Sequence, residues 1–404
     1  MIIQRFRPEF SGQGIQMEQL CQALARRGIE STVLAATRGH PSSWEACDGY
    51  RIRRLRADLL PGSARNSHLW MPTFGARVLF ALLGLPRPDV VHVHGLHDGL
   101  YGAYVFCRWS GVPLVLEMTL MGVDDPATAL ASRHVFYRAR HGAYRGADAY
   151  VAMSRAFLPP YASAGMPPDR LHIIPQGVDT RRFRPLATDE RSQVRAEIGC
   201  EPAAPVIVFV GSLIERKGID VLLAAWAIVH ERRPDARLVL VGRDAFEPAS
   251  DERRFLDAQL SRLPPAARDA IRRVGLRDDP ERLLGAGDVF AFPSRREGFG
   301  SVIIEAMACG VPSVVARLDG ITDMIFSAPI ESSSEGLGDG VVVPQDDSLA
   351  LAGALLDLFN RPEHAARVAG AGLERARTSF SLDEVVAPAY ARLYGSLKDR
   401  TPRR

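Results

Sequence analysis

This chain predicts an α/β protein of two doubly wound, Rossmann-like domains, and three observations carry that reading. Apolar, β-rich runs alternate with helical stretches along nearly all of its 404 residues, the rhythm of parallel sheets covered by helices. The rhythm occurs twice, on either side of an arginine-rich link, RRFRP at 181–185 and the polar run to Glu190. Several strands end in glycine, which frees the backbone at the edge where open α/β sheets hold ligands. The domains read as 1–182 and 183–381, with a helical stretch from Leu382 to Leu397 after them.

In the first half, Met1 to Phe6 reads as a short strand. The turn Phe10-Ser11-Gly12-Gln13-Gly14 leads to a helix over 15–27, which ends at Gly28, and Ser31 to Ala36 is the next strand. Gly12 and Gly14 lack the third glycine of a dinucleotide fingerprint, so an NAD-linked reading is disfavoured. Arg51 to Arg56 alternates as an edge strand with a basic face, 61–77 reads as a loop, and Val78 to Leu85 as a helix. Asp89 to Gly95 is a buried strand whose period of two puts His92 and His94 on one face. A metal pair is conceivable there, but the sequence offers no recognisable third ligand. His92 reads as a core residue, while His94, at the strand end, could reach a ligand. Val112 to Met118 is another strand, followed by Thr119, Asp124 and Asp125. The two aspartates suit the cap of the next helix.

The second half holds the sharper chemistry. Val206 to Val210 is a buried strand that breaks at Gly211, presents Glu215, Arg216, Lys217 and Gly218, and resumes as a helix at Val221. Only Lys217 and Lys398 are lysine among 50 basic residues. A lysine kept beside an arginine in a strand-end loop points to a need for a compact point charge. Leu238 to Gly242 and Arg272 to Gly275 are further strands. Asp288 to Ser294 delivers the loop Glu297-Gly298-Phe299-Gly300, and a buried helix runs from Ser301 to Cys309. Glycines let the backbone approach a ligand, and the N–H groups opening that helix face an anion. Glu297 and Glu305, eight apart, suit hydroxyls rather than phosphate. Cations for phosphate and carboxylates for hydroxyls together meet the needs of a nucleotide-sugar site. Residues 326–340 read as a mobile insertion before the strand at Val341.

Composition bounds the partners. The net charge of +3 is too small to imply nucleic acid, although it is uneven, +5 over residues 1–180 and −2 over the rest. Five scattered cysteines without a CxxC pair argue against disulfides or a zinc site and for a reducing compartment. The chain shows no signal peptide, and its apolar runs are too short to span a bilayer. The expectation is a cytoplasmic protein, at most attached peripherally to the inner face of the cell membrane.

Arg216-Lys217, with Glu297 and then Glu305, resembles the donor-site signature of the retaining GT-B glycosyltransferases of family 4. The resemblance covers nearly the whole chain: Ile173-Ile-Pro-Gln-Gly-Val-Asp179 is similar to the family's IPNGVD, with Gln176 for asparagine. It implies two domains facing a central cleft, with the terminal helix, 382–404, packed back on the first. It implies transfer of a sugar from a UDP- or GDP-sugar to a carbohydrate or lipid-linked acceptor, in glycan, glycolipid or polysaccharide biosynthesis. It assigns catalysis to Arg216, Lys217 and Glu297. Donor binding falls to Gly12, Gly14, Gly211, Gly242, Gly298, Phe299, Gly300, Ser301 and Glu305. His94, Thr119 and Asp124 are the candidate sugar or acceptor contacts. Ser11 replaces the first of two family glycines, and Thr119 stands where the family usually has histidine. No cofactor is expected, and the chain has no DxD triad to anchor a metal. A nucleotide-sugar 2-epimerase and a non-catalytic nucleotide-sugar-binding protein are the rival readings.

Overall fold

The computed structural model describes residues 1–9, 11–37, 42–57, 71–131, 141–243, 251–331 and 338–400. The chain divides into two compact units, Met1–Gly177 with Leu382–Arg404, and Val178–Ser381.

The first unit is built on an eight-stranded sheet. Its strands are β1 (Ile2–Ile3), β2 (Ser31–Thr37), β3 (Ser43–Cys47), β4 (Tyr50–Arg56), β5 (Val91–His94), β6 (Leu114–Met118), β7 (Ala149–Ala152) and β8 (Leu171–Ile173), in the spatial order β3-β4-β2-β1-β5-β6-β7-β8. All pairings are parallel except β3 with β4. The basic run expected at an edge is therefore interior, because β3 covers its outer side. The turn between them is Asp48-Gly49, with Gly49 at φ +80, a hairpin signal that the arginine pattern overshadowed. Arg54 reaches Glu45 at 2.7 Å and Arg53 lies over the Trp44 ring.

Helix α1 (Gly12–Ala25) starts three residues before the expected Ile15, because the Ser11 hydroxyl accepts from Gly14 N at 3.2 Å and caps it. Helix α2 (Met71–Leu83) also begins earlier than expected. Phe10 and residues 61–70 of the expected 61–77 loop lie outside the described residues, and its remainder, 71–77, is helical. After α3 (Gly99–Ser110), the short α4 (Pro126–Leu130) and strands β7 and β8, the chain leaves for the second unit at Val178 and returns at Leu382. Tyr390, Leu393 and Leu397 of the C-terminal stretch pack with Leu20 and Leu24 of α1 and with Val115 and Val151 of the sheet. Arg26 holds Asp383 at 2.6 Å.

The second unit carries a seven-stranded, fully parallel sheet. Its strands are β9 (Val206–Val210), β10 (Arg237–Val241), β11 (Ile271–Gly275), β12 (Val289–Phe292), β13 (Ser313–Ala316), β14 (Pro329–Glu331) and β15 (Gly340–Val343), ordered β11-β10-β9-β12-β13-β15-β14. Part of the expected mobile insertion is thus the edge strand β14; residues 332–337 lie outside the described residues. Such sheets bury both faces, and the strand interiors are accordingly continuous apolar runs. Helix α5 (Ile219–Arg232) follows β9, and its Leu222 and Trp226 are fully buried in the core. Helix α6 (Ser301–Ala308) follows β12. Among the described residues, no helix is long and apolar enough to cross a membrane.

Both sheets reverse their winding once near the centre, at β1/β5 in the first unit and at β9/β12 in the second. Ligands of open α/β sheets bind at this switch point, beyond the carboxyl ends of the strands.

Candidate functional site

The switch point of the second unit gathers the loops after β9 and β12. After β9 the backbone forms one tight turn, Glu215–Lys217, and Gly218 follows at φ +68. A side chain there would put its first carbon 2.0 Å from the carbonyl of Pro293, so glycine is what lets the two loops touch. The Arg216 carbonyl accepts from Arg295 N at 2.9 Å, and the Arg216 guanidinium donates to the Arg296 carbonyl at 2.7 Å. The loops are one assembly.

Its centre is the Glu297 carboxylate. Lys217 Nζ donates to Glu297 Oε1 at 2.5 Å, Ser294 Oγ donates to the same oxygen at 2.5 Å, and Arg216 Nη1 stands 3.5 Å away. Lys217 also lies 5.2 Å from the centre of the Phe292 ring, a contact that favours a desolvated cation. The side chains are 15% exposed at Lys217, 29% at Arg216 and 9% at Glu297, so a ligand can reach the cations but bulk water scarcely screens them. Arg295 braces the loop by pairing with Asp220 at 2.7 Å and Asp346 at 2.6 Å. Ser294, Arg295 and Asp220 are supports that sequence reasoning missed; Arg295-Arg296 beside Glu297 was the available signal.

Gly300 caps α6 at φ +85. Glu305, half-buried on that helix, has its carboxyl pushed up to about 7 by burial; Arg182 opposes the shift and Glu281 adds to it. Phe299 turns its ring into the core against Phe380, centroids 5.8 Å apart, which leaves its main chain as the part open to a ligand. Ser301 is half-buried at the start of α6. Gly242 N donates to the Gly275 carbonyl at 2.8 Å, and a side chain at Gly242 would sit 2.0 Å from the Gly211 carbonyl. Gly211 and Gly242 thus keep the ends of β9 and β10 in close contact.

In the first unit, Gly12 and Gly14 lie in the opening turn of α1, beyond the end of β1. Thr119 does not stand free. Its N–H and hydroxyl donate to Asp124 Oδ2 at 2.8 and 2.6 Å, and Leu120 N donates to Oδ1 at 2.8 Å. Burial still pushes the Asp124 carboxyl up to about 6, against those hydrogen bonds. Asp125 caps α4 by accepting from Thr128 N at 3.0 Å. Beside Thr119, Gly95 adopts φ +77, and a side chain on it would meet the Gln13 amide nitrogen at 2.9 Å. That nitrogen is buried without a hydrogen-bond partner, and sequence reasoning passed over it. His94 is 3% exposed and turns toward Glu117 rather than outward.

Residues 10–182 match the family described as Glycosyltransferase Family 4, and residues 204–361 match Glycosyl transferases group 1. A D-inositol 3-phosphate glycosyltransferase from Segniliparus rotundus is 31% identical over 77% of this chain and 70% of its own. One of the same name from Xylanimonas cellulosilytica is 30% identical over 97% of this chain and 93% of its own. This chain is a family 4 glycosyltransferase. A crystal structure of Anabaena HepE in complex with UDP and glucose matches it with a TM-score of 0.76 over 98% of both chains, at 20% identity, which shows the shared GT-B fold. In this chain Thr119, paired with Asp124, stands where the resemblance leads one to expect histidine.

Proposed function

We propose that this glycosyltransferase moves a sugar from a nucleoside-diphosphate sugar to an acceptor hydroxyl, with the anomeric configuration retained and without a catalytic metal. The observation that carries the reading is the trio of Lys217, Arg216 and Glu297 at the β9/β12 switch point. When the glycosidic C–O bond breaks, both its electrons go to the diphosphate, whose charge grows. Lys217 and Arg216 stabilise that charge, aided by the N–H groups that open α6. To do so, Lys217 exchanges the carboxylate for a phosphate oxygen. Glu297 is then released to accept hydrogen bonds from hydroxyls of the donor sugar, and Glu305 from the ribose. The acceptor oxygen attacks the face that the diphosphate leaves, and the departing phosphate takes its proton.

Donor contacts at Gly211, Gly242, Gly298, Phe299, Gly300 and Ser301 are main-chain contacts in this reading. Gly12, Gly14, Thr119 and Asp124 remain proposed contacts of the first unit, while His94, buried and turned toward Glu117, is left out of that set. HepE bound to UDP supports a UDP-sugar as the donor to try first, and the relatives' names support a phosphate-bearing polyol as acceptor. The test offers UDP- and GDP-sugars with inositol phosphates and reads the anomeric proton of the product by NMR. Retained configuration is expected, with the same turnover whether or not Mg²⁺ or Mn²⁺ is added. An inverted product, or an absolute need for added Mg²⁺, would sink the proposal. A donor-only control that returns an isomeric sugar nucleotide would favour the epimerase instead.

A further inference from the structure

Sugar transfer makes no use of a second cluster of ionisable side chains, which lies inside the sheet of the first unit. The parallel register of β5 and β6 sets His94 opposite Glu117, and both His92 and His94 turn toward that carboxylate. Glu117 Oε2 is 3.3 Å from His92 Nε2 and 3.0 Å from His94 Nδ1. The two imidazole centres are 4.0 Å apart, and all three side chains are buried. The C-terminal helix α7 (Ala387–Arg400) closes the other side. Its Tyr390 hydroxyl donates to Glu117 Oε2 at 3.1 Å, and its Tyr394 hydroxyl is 2.7 Å from His92 Nδ1.

Hydrogen bonding alone leaves this cluster unsatisfied. His92 Nε2 faces the carboxylate oxygen without a directed hydrogen bond. A buried nitrogen left in this way is costly. A cation between the three groups satisfies His92 Nε2 and the carboxylate together. In a tetrahedral zinc site with bonds of about 2.0–2.1 Å, neighbouring ligand atoms lie about 3.4 Å apart. The two spacings from Oε2 are close to that, and all three ligand atoms lie within 4.8 Å of one another. Metal-bound histidines also give their second ring nitrogen to an outer partner, as His92 does with Tyr394. Beside the cluster, His94, Glu117 and Tyr390 border a cavity of about 20 Å³ with Gln13, Gln16 and Gln176, room for one water. Among the described residues, no other group of three such side chains converges.

We propose that His92, His94 and Glu117 form a binding site for a divalent transition-metal ion of the zinc type, with a water in the adjoining cavity as fourth ligand. Two imidazoles and one carboxylate suit zinc better than magnesium or calcium. The ion ties β5 to β6 and, through Tyr390 and Tyr394, orders the seat of α7. It is structural: the donor cluster belongs to the other unit, and transfer has no step through it.

The test uses the untagged full-length protein, stripped by dialysis against a chelator, checked for folding by circular dichroism and titrated with Co²⁺. One equivalent should bind with the visible absorption of a four-coordinate site, and Zn²⁺ should displace it. His94→Ala and Glu117→Gln should abolish the absorption. Tyr394→Phe should keep it but weaken binding 10- to 100-fold. A folded wild type with no saturable Co²⁺ absorption would overturn the site, and this arm needs no variant to fold. So would absorption and affinity unchanged in His94→Ala.

Discussion

Glu297 in the second unit and Glu117 in the first invite comparison, because each is a carboxylate ringed by donors near the central strands of its sheet. Glu297 sits on a loop beyond β12 and is held by Lys217 and Ser294, with Arg216 nearby. Glu117 sits within β6 and is approached by His92, His94 and Tyr390. Loop groups beyond a strand end can trade one partner for another without disturbing the sheet. Groups within a strand, sealed by a helix, cannot. The first cluster is therefore suited to exchange a carboxylate for a ligand's phosphate, the second to hold what it holds. Permanent charges mark the exchangeable site, whereas imidazoles and phenols, which bury well as neutral groups, mark the sealed one.

Removing each carboxylate's cluster should separate these roles. Glu117→Ala should cost about 2–6 kcal/mol of stability, because the buried His94 and Tyr390 donors each lose their acceptor at about 1–3 kcal/mol apiece. Urea unfolding measures it, and a loss below about 1 kcal/mol would erase the contrast. Lys217→Ala should lower kcat by about 10²–10³, or roughly 3–4 kcal/mol of transition-state stabilisation. Its urea midpoint should stay near wild type. Near-wild-type turnover would remove Lys217 from the mechanism.

Two smaller effects sharpen the picture. Burial pushes the Glu305 carboxyl up to about 7 in the folded chain, against an ordinary 4.5. Because the folded value is the higher, its contribution is full below about pH 4.5 and is lost as pH rises toward 7. Wild type should therefore lose stability relative to Glu305→Gln across that window, and the gap should level off above it. Thermal melts at pH 5 and pH 8 measure the difference, and a gap independent of pH would contradict the assignment. Asp125→Ala should cost only about 1 kcal/mol, the worth of a helix cap. Unchanged transfer kinetics in that variant would confine Asp125 to its capping role.

The second unit was the more legible in sequence. Arg216, Lys217 and Glu297 announced themselves because charges after buried apolar strands have few structural explanations, and the β9/β12 switch point brings them together. The first unit hid its chemistry in register. His92 and His94 were visible as a pair, but Glu117 reads as an ordinary strand residue until β6 is laid beside β5. Gln13 was similarly silent, since only the positive φ of Gly95 brings its amide against that turn. Charge pattern misled once: the arginines at 51–56 looked like an edge, while the covering strand depended on the modest Asp48-Gly49 turn.

The most direct measurement is the thermal stabilisation of wild type and Lys217→Ala by a panel of UDP-, GDP- and ADP-sugars. The account predicts that sugars of one nucleotide stabilise the wild type and that the shift is lost or much reduced in Lys217→Ala. No shift from any sugar nucleotide on folded wild type, or an equal shift in the variant, would contradict it.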